Sequence, residues 1–128
     1  MNNIITLKKY GYQAKINLLR GANLISFGVN GESVLREPCY EKDLDNPFLY
    51  GMPILFPVNR ISGGKFEFEG REYVFPINEQ KTNCHLHGTL HQTPFQIKYL
   101  SSSRAVCLYE ADSFNKYLNF PHDFKIEI

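Results

Sequence analysis

Residues 65–75 read KFEFEGREYVF, and the fold class turns on this stretch. Phe66 and Phe68 alternate with Glu67 and Glu69, Gly70 breaks the run, and Tyr73 and Phe75 resume it. A period of two is that of a strand with one face turned inward, and a glycine between two such runs marks a hairpin. The same alternation recurs on both sides. Ala14, Ile16 and Leu18 alternate with Lys15 and Asn17, and Ile25, Phe27 and Val29 share a face. Asn30-Gly31 follows, a pair that tolerates positive φ and suits a type I′ turn into a return strand over 33–36. Residues 98–100 and 105–111 flank the triplet Ser101-Ser102-Ser103, and the closing DFKIEI alternates Phe124, Ile126 and Ile128 with Lys125 and Glu127. The polar, proline-containing segment 37–53 reads as a long surface excursion. No segment carries a helical period. About eight strands with regular turns predict an all-β, antiparallel sandwich or barrel.

The composition narrows the function. A chain of 128 residues forms one domain and supports a core without staples. Its net charge of +1 provides no basic footprint for nucleic acid. No apolar run approaches the roughly 20 residues that span a bilayer. In MNNIITLKKYGYQ the apolar stretch breaks at Lys8 and Lys9, short of a signal-peptide core. Three scattered cysteines, Cys39, Cys84 and Cys107, imply reduced thiols and a cytoplasmic protein. The strand-like C-terminus either folds back on an earlier strand or belongs to a longer chain, since bare edges are normally covered.

The chemistry centres on residues 83–88, NCHLHG. In a strand His85 and His87 would share one face. They suit a structural role, a metal or acid–base work. With His91 and Cys84 they offer ligands of the kind zinc or iron accepts. HLHGTLH is similar to the cupin His-x-His motif, although no carboxylate occurs between His91 and Glu110.

The flanking residues add a longer pattern. Residues 51–95 contain Pro53, Phe56, Pro57, Asn59, Arg60, Ile61, Gly64, Phe66, Gly70, Tyr73 and Asn78, then Leu86, His87 and Gly88, in order. Together with NFPHDFKIEI this pattern resembles the aldose 1-epimerases, or galactose mutarotases. Thr89 stands where the family commonly has a second glycine, and His85 where many members carry Asn. The resemblance implies a galactose mutarotase-like β-sandwich of which residues 1–128 form a single, partial domain, the first part of the fold.

It also implies an isomerase that interconverts the α and β anomers of a hexose, or of a hexose phosphate, by acid–base ring opening without a cofactor. The carried-over residues are His87 as a catalytic-site group and Asn59 and Arg60 as sugar-binding groups; His85, the strand-mate of His87, is read as a further substrate-binding group. His91 and His122 are read as structural or exposed. The family's glutamate base and principal histidine acid have no counterpart in these residues. A half-site of low activity is therefore expected, completed by a C-terminal half or by self-association. A non-catalytic carbohydrate-binding module is the alternative, and a cupin-like metal protein a third.

Overall fold

The computed structural model describes residues 3–128, so Met1 and Asn2 of the N-terminal stretch lie outside it. Eleven strands occur among the described residues: β1 (Ile4–Lys9), β2 (Tyr12–Asn17), β3 (Asn23–Val29), β4 (Glu32–Ser33), β5 (Arg60–Ser62), β6 (Lys65–Phe68), β7 (Arg71–Val74), β8 (Cys84–Leu86), β9 (Gln96–Leu100), β10 (Ala105–Ala111) and β11 (Phe124–Glu127). They form antiparallel sheets in the orders β1-β2-β3-β4, β11-β10-β9, β5-β8 and β6-β7. The chain is all-β, as its alternation predicts. Among the described residues the helical content is confined to 3-10 turns of three to five residues, too short to leave a period in the sequence.

Three hairpins have two-residue loops, and β9–β10 turns over residues 101–104. Tyr10-Gly11, Asn30-Gly31 and Glu69-Gly70 each place both residues at positive φ, the type I′ geometry whose twist matches that of the strands. Asn30-Gly31 and Gly70 stand in the sequence as clear signals. Tyr10-Gly11 joins β1 to β2 in the same geometry, with a tyrosine at the position where Asn is usual and so a weaker signal in the sequence. β4 is shorter than the expected return strand. Beyond it the Val34 N–H still donates to the Phe27 carbonyl at 2.8 Å, and the Glu37 carboxylate accepts hydrogen bonds from the hydroxyls of Ser26 at 2.8 Å and Ser33 at 2.9 Å.

Two compact units divide the chain. The first comprises the residues up to Ile54, Leu90–Tyr109 and Glu127–Ile128. Its buried residues include Ile5, Ile25, Leu44, Leu90, Phe95, Cys107 and Tyr109. Between Lys15 and Ile16 the β2–β3 register slips by one residue, and the extra residue on β3 is Ile25, which is buried. The excursion over 37–53 is pinned by Leu44 and by Arg20, whose guanidinium meets Glu41 and Asp45 at 2.8 Å each. The C-terminus pairs with β10: Ile128 and Cys107 exchange two backbone hydrogen bonds of 2.9 and 3.0 Å.

The second unit comprises Leu55–Thr89 and Glu110–Ile126. Its interior is aromatic. Phe56 lies 5.2 Å from Phe124 and 5.9 Å from both Tyr117 and Phe120, ring centre to ring centre. Phe66 stacks on Tyr73 at 4.9 Å. Contacts of this kind add about 0.5–1.5 kcal/mol each beyond the burial of area. All three cysteines are free; Cys39 is exposed and the others are buried. Burial pushes the Cys107 thiol up, which keeps it protonated and unreactive. Among the described residues no helix is long and apolar enough to cross a membrane.

Candidate functional site

The second unit holds Asn59, Arg60, His85 and His87, whereas His91 belongs to the first. β5 and β8 pair antiparallel, with Arg60 opposite Leu86 and Ile61 opposite His85. This pairing carries Asn59, just before β5, to His87, just after β8. Both residues lie in the left-handed region, at φ 67° and 60°. Asparagine and histidine tolerate that conformation better than most side chains. Two hydrogen bonds join them: the His87 N–H donates to the Asn59 carbonyl at 3.2 Å, and the Asn59 N–H donates to His87 Nδ1 at 2.9 Å. A backbone donor on Nδ1 assigns the neutral imidazole its tautomer, with the proton on Nε2.

The positive φ at His87 also ends the strand alternation. His85 and His87 do not share an environment, as i and i+2 of a continuing strand would. His85 has 0 % of its surface exposed, its ring lies 5.1 Å from Phe75, and Nδ1 donates to the Pro76 carbonyl at 2.7 Å. His87 is only partly buried. Asn59, Arg60 and His87 are thus brought together, and His85 is enclosed behind them in the interior of the unit.

Arg60 extends the cluster. Its N–H donates to Asn59 Oδ1 at 2.9 Å. Its guanidinium forms a two-pronged pair with Glu79, Nε to Oε2 at 2.6 Å and Nη2 to Oε1 at 2.8 Å. The Thr82 hydroxyl also donates to the Glu79 carboxylate. The Arg60 hydrogen bonds, then that of Thr82, hold Glu79 down to about 2, well below its ordinary 4.5. Glu79 in turn raises Arg60 further. Two prongs of the fork are engaged, and Nη1 and the Asn59 Nδ2 have no partner among the described residues. The sequence carries no sign of the Glu79 pairing, since 19 residues separate it from Arg60.

Asn78 has a structural part. Its side chain donates to the Leu86 carbonyl at 2.9 Å and accepts the Leu86 N–H at 2.6 Å, imitating a neighbouring strand. Gly88, at φ 62°, passes so close to Phe56 that a Cβ would overlap the Phe56 carbonyl oxygen and the Tyr117 hydroxyl. His122 is exposed and pairs with the Tyr73 hydroxyl at 2.8 Å. Among the described residues no three His, Cys, Asp or Glu side chains gather as a metal site.

Similarity to known proteins follows the same lines. The model of the aldose 1-epimerase family matches residues 3–128. A galactose mutarotase-like protein from Clostridium acetobutylicum superposes with a TM-score of 0.85 at 30% identity, covering 97% of this chain and 40% of that one. An aldose epimerase homologue from C. elegans shares the fold, with a TM-score of 0.72 at 19% identity over 97% of this chain and 40% of that one. The uncharacterized protein YihR of Escherichia coli K12 is 28% identical over 87 residues, 64% of this chain and 28% of its own. The chain therefore spans two fifths or less of the length of these relatives.

Proposed function

The chain belongs to the aldose 1-epimerase family, and from that membership we propose that it forms the sugar-binding half-site of an isomerase that interconverts hexose anomers. The substrate is a hexose or hexose phosphate. A base removes the proton from the anomeric hydroxyl, an acid protonates the ring oxygen, the ring opens, and closure on the other face of C1 yields the second anomer. The observation that carries this reading is the joined cluster of Asn59, Arg60 and His87. Asn59 Nδ2, Arg60 Nη1 and His87 Nε2–H are all donors, the groups needed to hold sugar hydroxyls and to stabilise charge that develops on oxygen. His87 acts on the reacting oxygen; Asn59 and Arg60 orient the ring.

The cluster lacks a base. Its one carboxylate, Glu79, is held at about 2 by Arg60 and is too weak to accept a proton near neutrality. The base therefore comes from residues beyond these 128 or from a second chain, and the bare outer strands β9 and β11 are where such a complement pairs. His85, behind the cluster, supports the strand that presents His87.

Polarimetry of freshly dissolved α-D-glucose or α-D-galactose tests this, combined with sugar titration followed by NMR. The 128-residue chain is expected to bind a hexose saturably and to add little to the spontaneous rate. Alanine at Asn59, Arg60 or His87 is expected to weaken binding roughly tenfold, the loss of one or two hydrogen bonds. Absence of binding, or binding indifferent to all three substitutions, would overturn the site. Full acceleration by the chain alone would overturn the half-site. Binding that remains uncatalysed after a complementing segment from the mutarotase-like relative is added would favour a carbohydrate-binding module instead.

A further inference from the structure

We propose that Tyr117 is the positioning residue that holds His87 in its donating tautomer. This inference rests on the reading of His87 given above. Tyr117 lies in the loop between β10 and β11, far along the chain from the cluster, and only 3 % of its surface is exposed. Its hydroxyl is used twice. It donates to the Phe56 carbonyl and accepts the Thr89 N–H at 2.8 Å. Phe56 precedes Asn59 by three residues, and Thr89 follows His87 by two. One oxygen therefore ties together the two segments that end in the left-handed pair.

The geometry between these anchors leaves little freedom. Phe56 and Gly88 form an isolated parallel bridge, and the absence of a Cβ at Gly88 lets the Phe56 carbonyl and the Tyr117 hydroxyl approach it. The Tyr117 ring is fixed by Phe56 at 5.9 Å and by Phe124 at 5.6 Å, the latter edge-on. Without the hydroxyl, the Phe56 carbonyl and the Thr89 N–H each lose a buried partner. The loop over 87–89 then has less to hold His87 at φ 60°, a conformation that costs energy in an L residue. As His87 relaxes, its Nδ1 leaves the Asn59 N–H, and the bond that selects the Nε2–H tautomer is gone. Tyr117 touches neither Asn59 nor His87 through its hydroxyl and acts through the backbone that carries them.

The test is Tyr117→Phe in the 128-residue chain labelled with 15N, read at the imidazole nitrogens of His87 without sugar. The wild type is expected to show the separated Nδ1 and Nε2 resonances of a single tautomer; in the variant the two move toward a common averaged position, while His85, bound to Pro76, keeps its pattern. Hexose affinity is expected to fall roughly tenfold. An unchanged His87 pattern in a folded variant overturns the proposal whatever happens to sugar binding. A wild type that shows the single tautomer, loses it in the variant and yet binds no hexose overturns the functional reading and leaves the positioning role standing. Should Tyr117→Phe not fold, hydrogen exchange on the wild type decides. The amides of Asn59, His87 and Thr89 are expected to exchange together, as one cooperative unit. Exchange of Asn59 and His87 far faster than Thr89 overturns the proposal.

Discussion

Gly88 and Gly31 show how differently two left-handed glycines are constrained. Both have positive φ, at 62° and 86°. A Cβ at Gly31 would meet nothing, whereas one at Gly88 would overlap Phe56 and Tyr117. Gly31→Ala should therefore cost only the backbone strain, about 1 kcal/mol. Gly88→Ala adds displaced backbone and a broken Tyr117 contact, and should cost more than about 3 kcal/mol. Urea unfolding of the two variants measures the difference. Glu79 gives a prediction in pH. Its folded-state pKa of about 2 lies below the ordinary 4.5, so its contribution to stability is present above pH 4.5 and is lost as pH falls toward 2. Between pH 5 and pH 3 the urea midpoint of the wild type should fall further than that of Glu79→Gln. Equal falls would show that the pair with Arg60 does not persist in solution.

At the scale of elements, β8 is short and depends on borrowed partners. β5 covers one edge over three residues, and the Asn78 side chain supplies the other at Leu86. Asn78→Ala strips both Leu86 backbone groups of that partner and should destabilise by about 1–3 kcal/mol. Because β8 carries His87, amide exchange at Leu86 and His87 should quicken in this variant before exchange in β2 and β3 does. Uniform quickening would mean that the second unit has no local opening of its own. The hairpins β1–β2, β3–β4 and β6–β7 need no such help, since their turns are encoded in two adjacent residues.

At the scale of the whole chain, the first unit is closed by residues distant in sequence. Gly21 N–H donates to the Thr93 carbonyl at 3.0 Å, and Phe95 N–H to the Leu18 carbonyl at 2.9 Å. Leu90 sits at the centre of this closure with 0 % exposure. Leu90→Ala should cost about 2–5 kcal/mol, the range for a buried leucine whose cavity the surroundings fill only in part. Thermal or urea unfolding checks it, and a cost below 1 kcal/mol would mean that the unit collapses around the gap.

Local physics made the strands and turns readable. The period of two locates β3 and β10 at the residues where they occur, and Asn30-Gly31 and Gly70 locate two of the hairpins, because side-chain alternation and positive φ are properties of neighbours in the chain. The ordered run from Pro53 to Gly88 likewise carries the family, and with it the expectation that Asn59, Arg60 and His87 act together. Other features depended on which distant segments meet. His85 reads as the strand-mate of His87, yet one left-handed residue sends the two rings into different surroundings. Glu79 holds Arg60 across 19 residues, and the Tyr117 hydroxyl reaches Phe56 across 61. Such partnerships leave no period or spacing in the sequence, since they arise from the close approach of backbones after folding, and only the tertiary structure decides them.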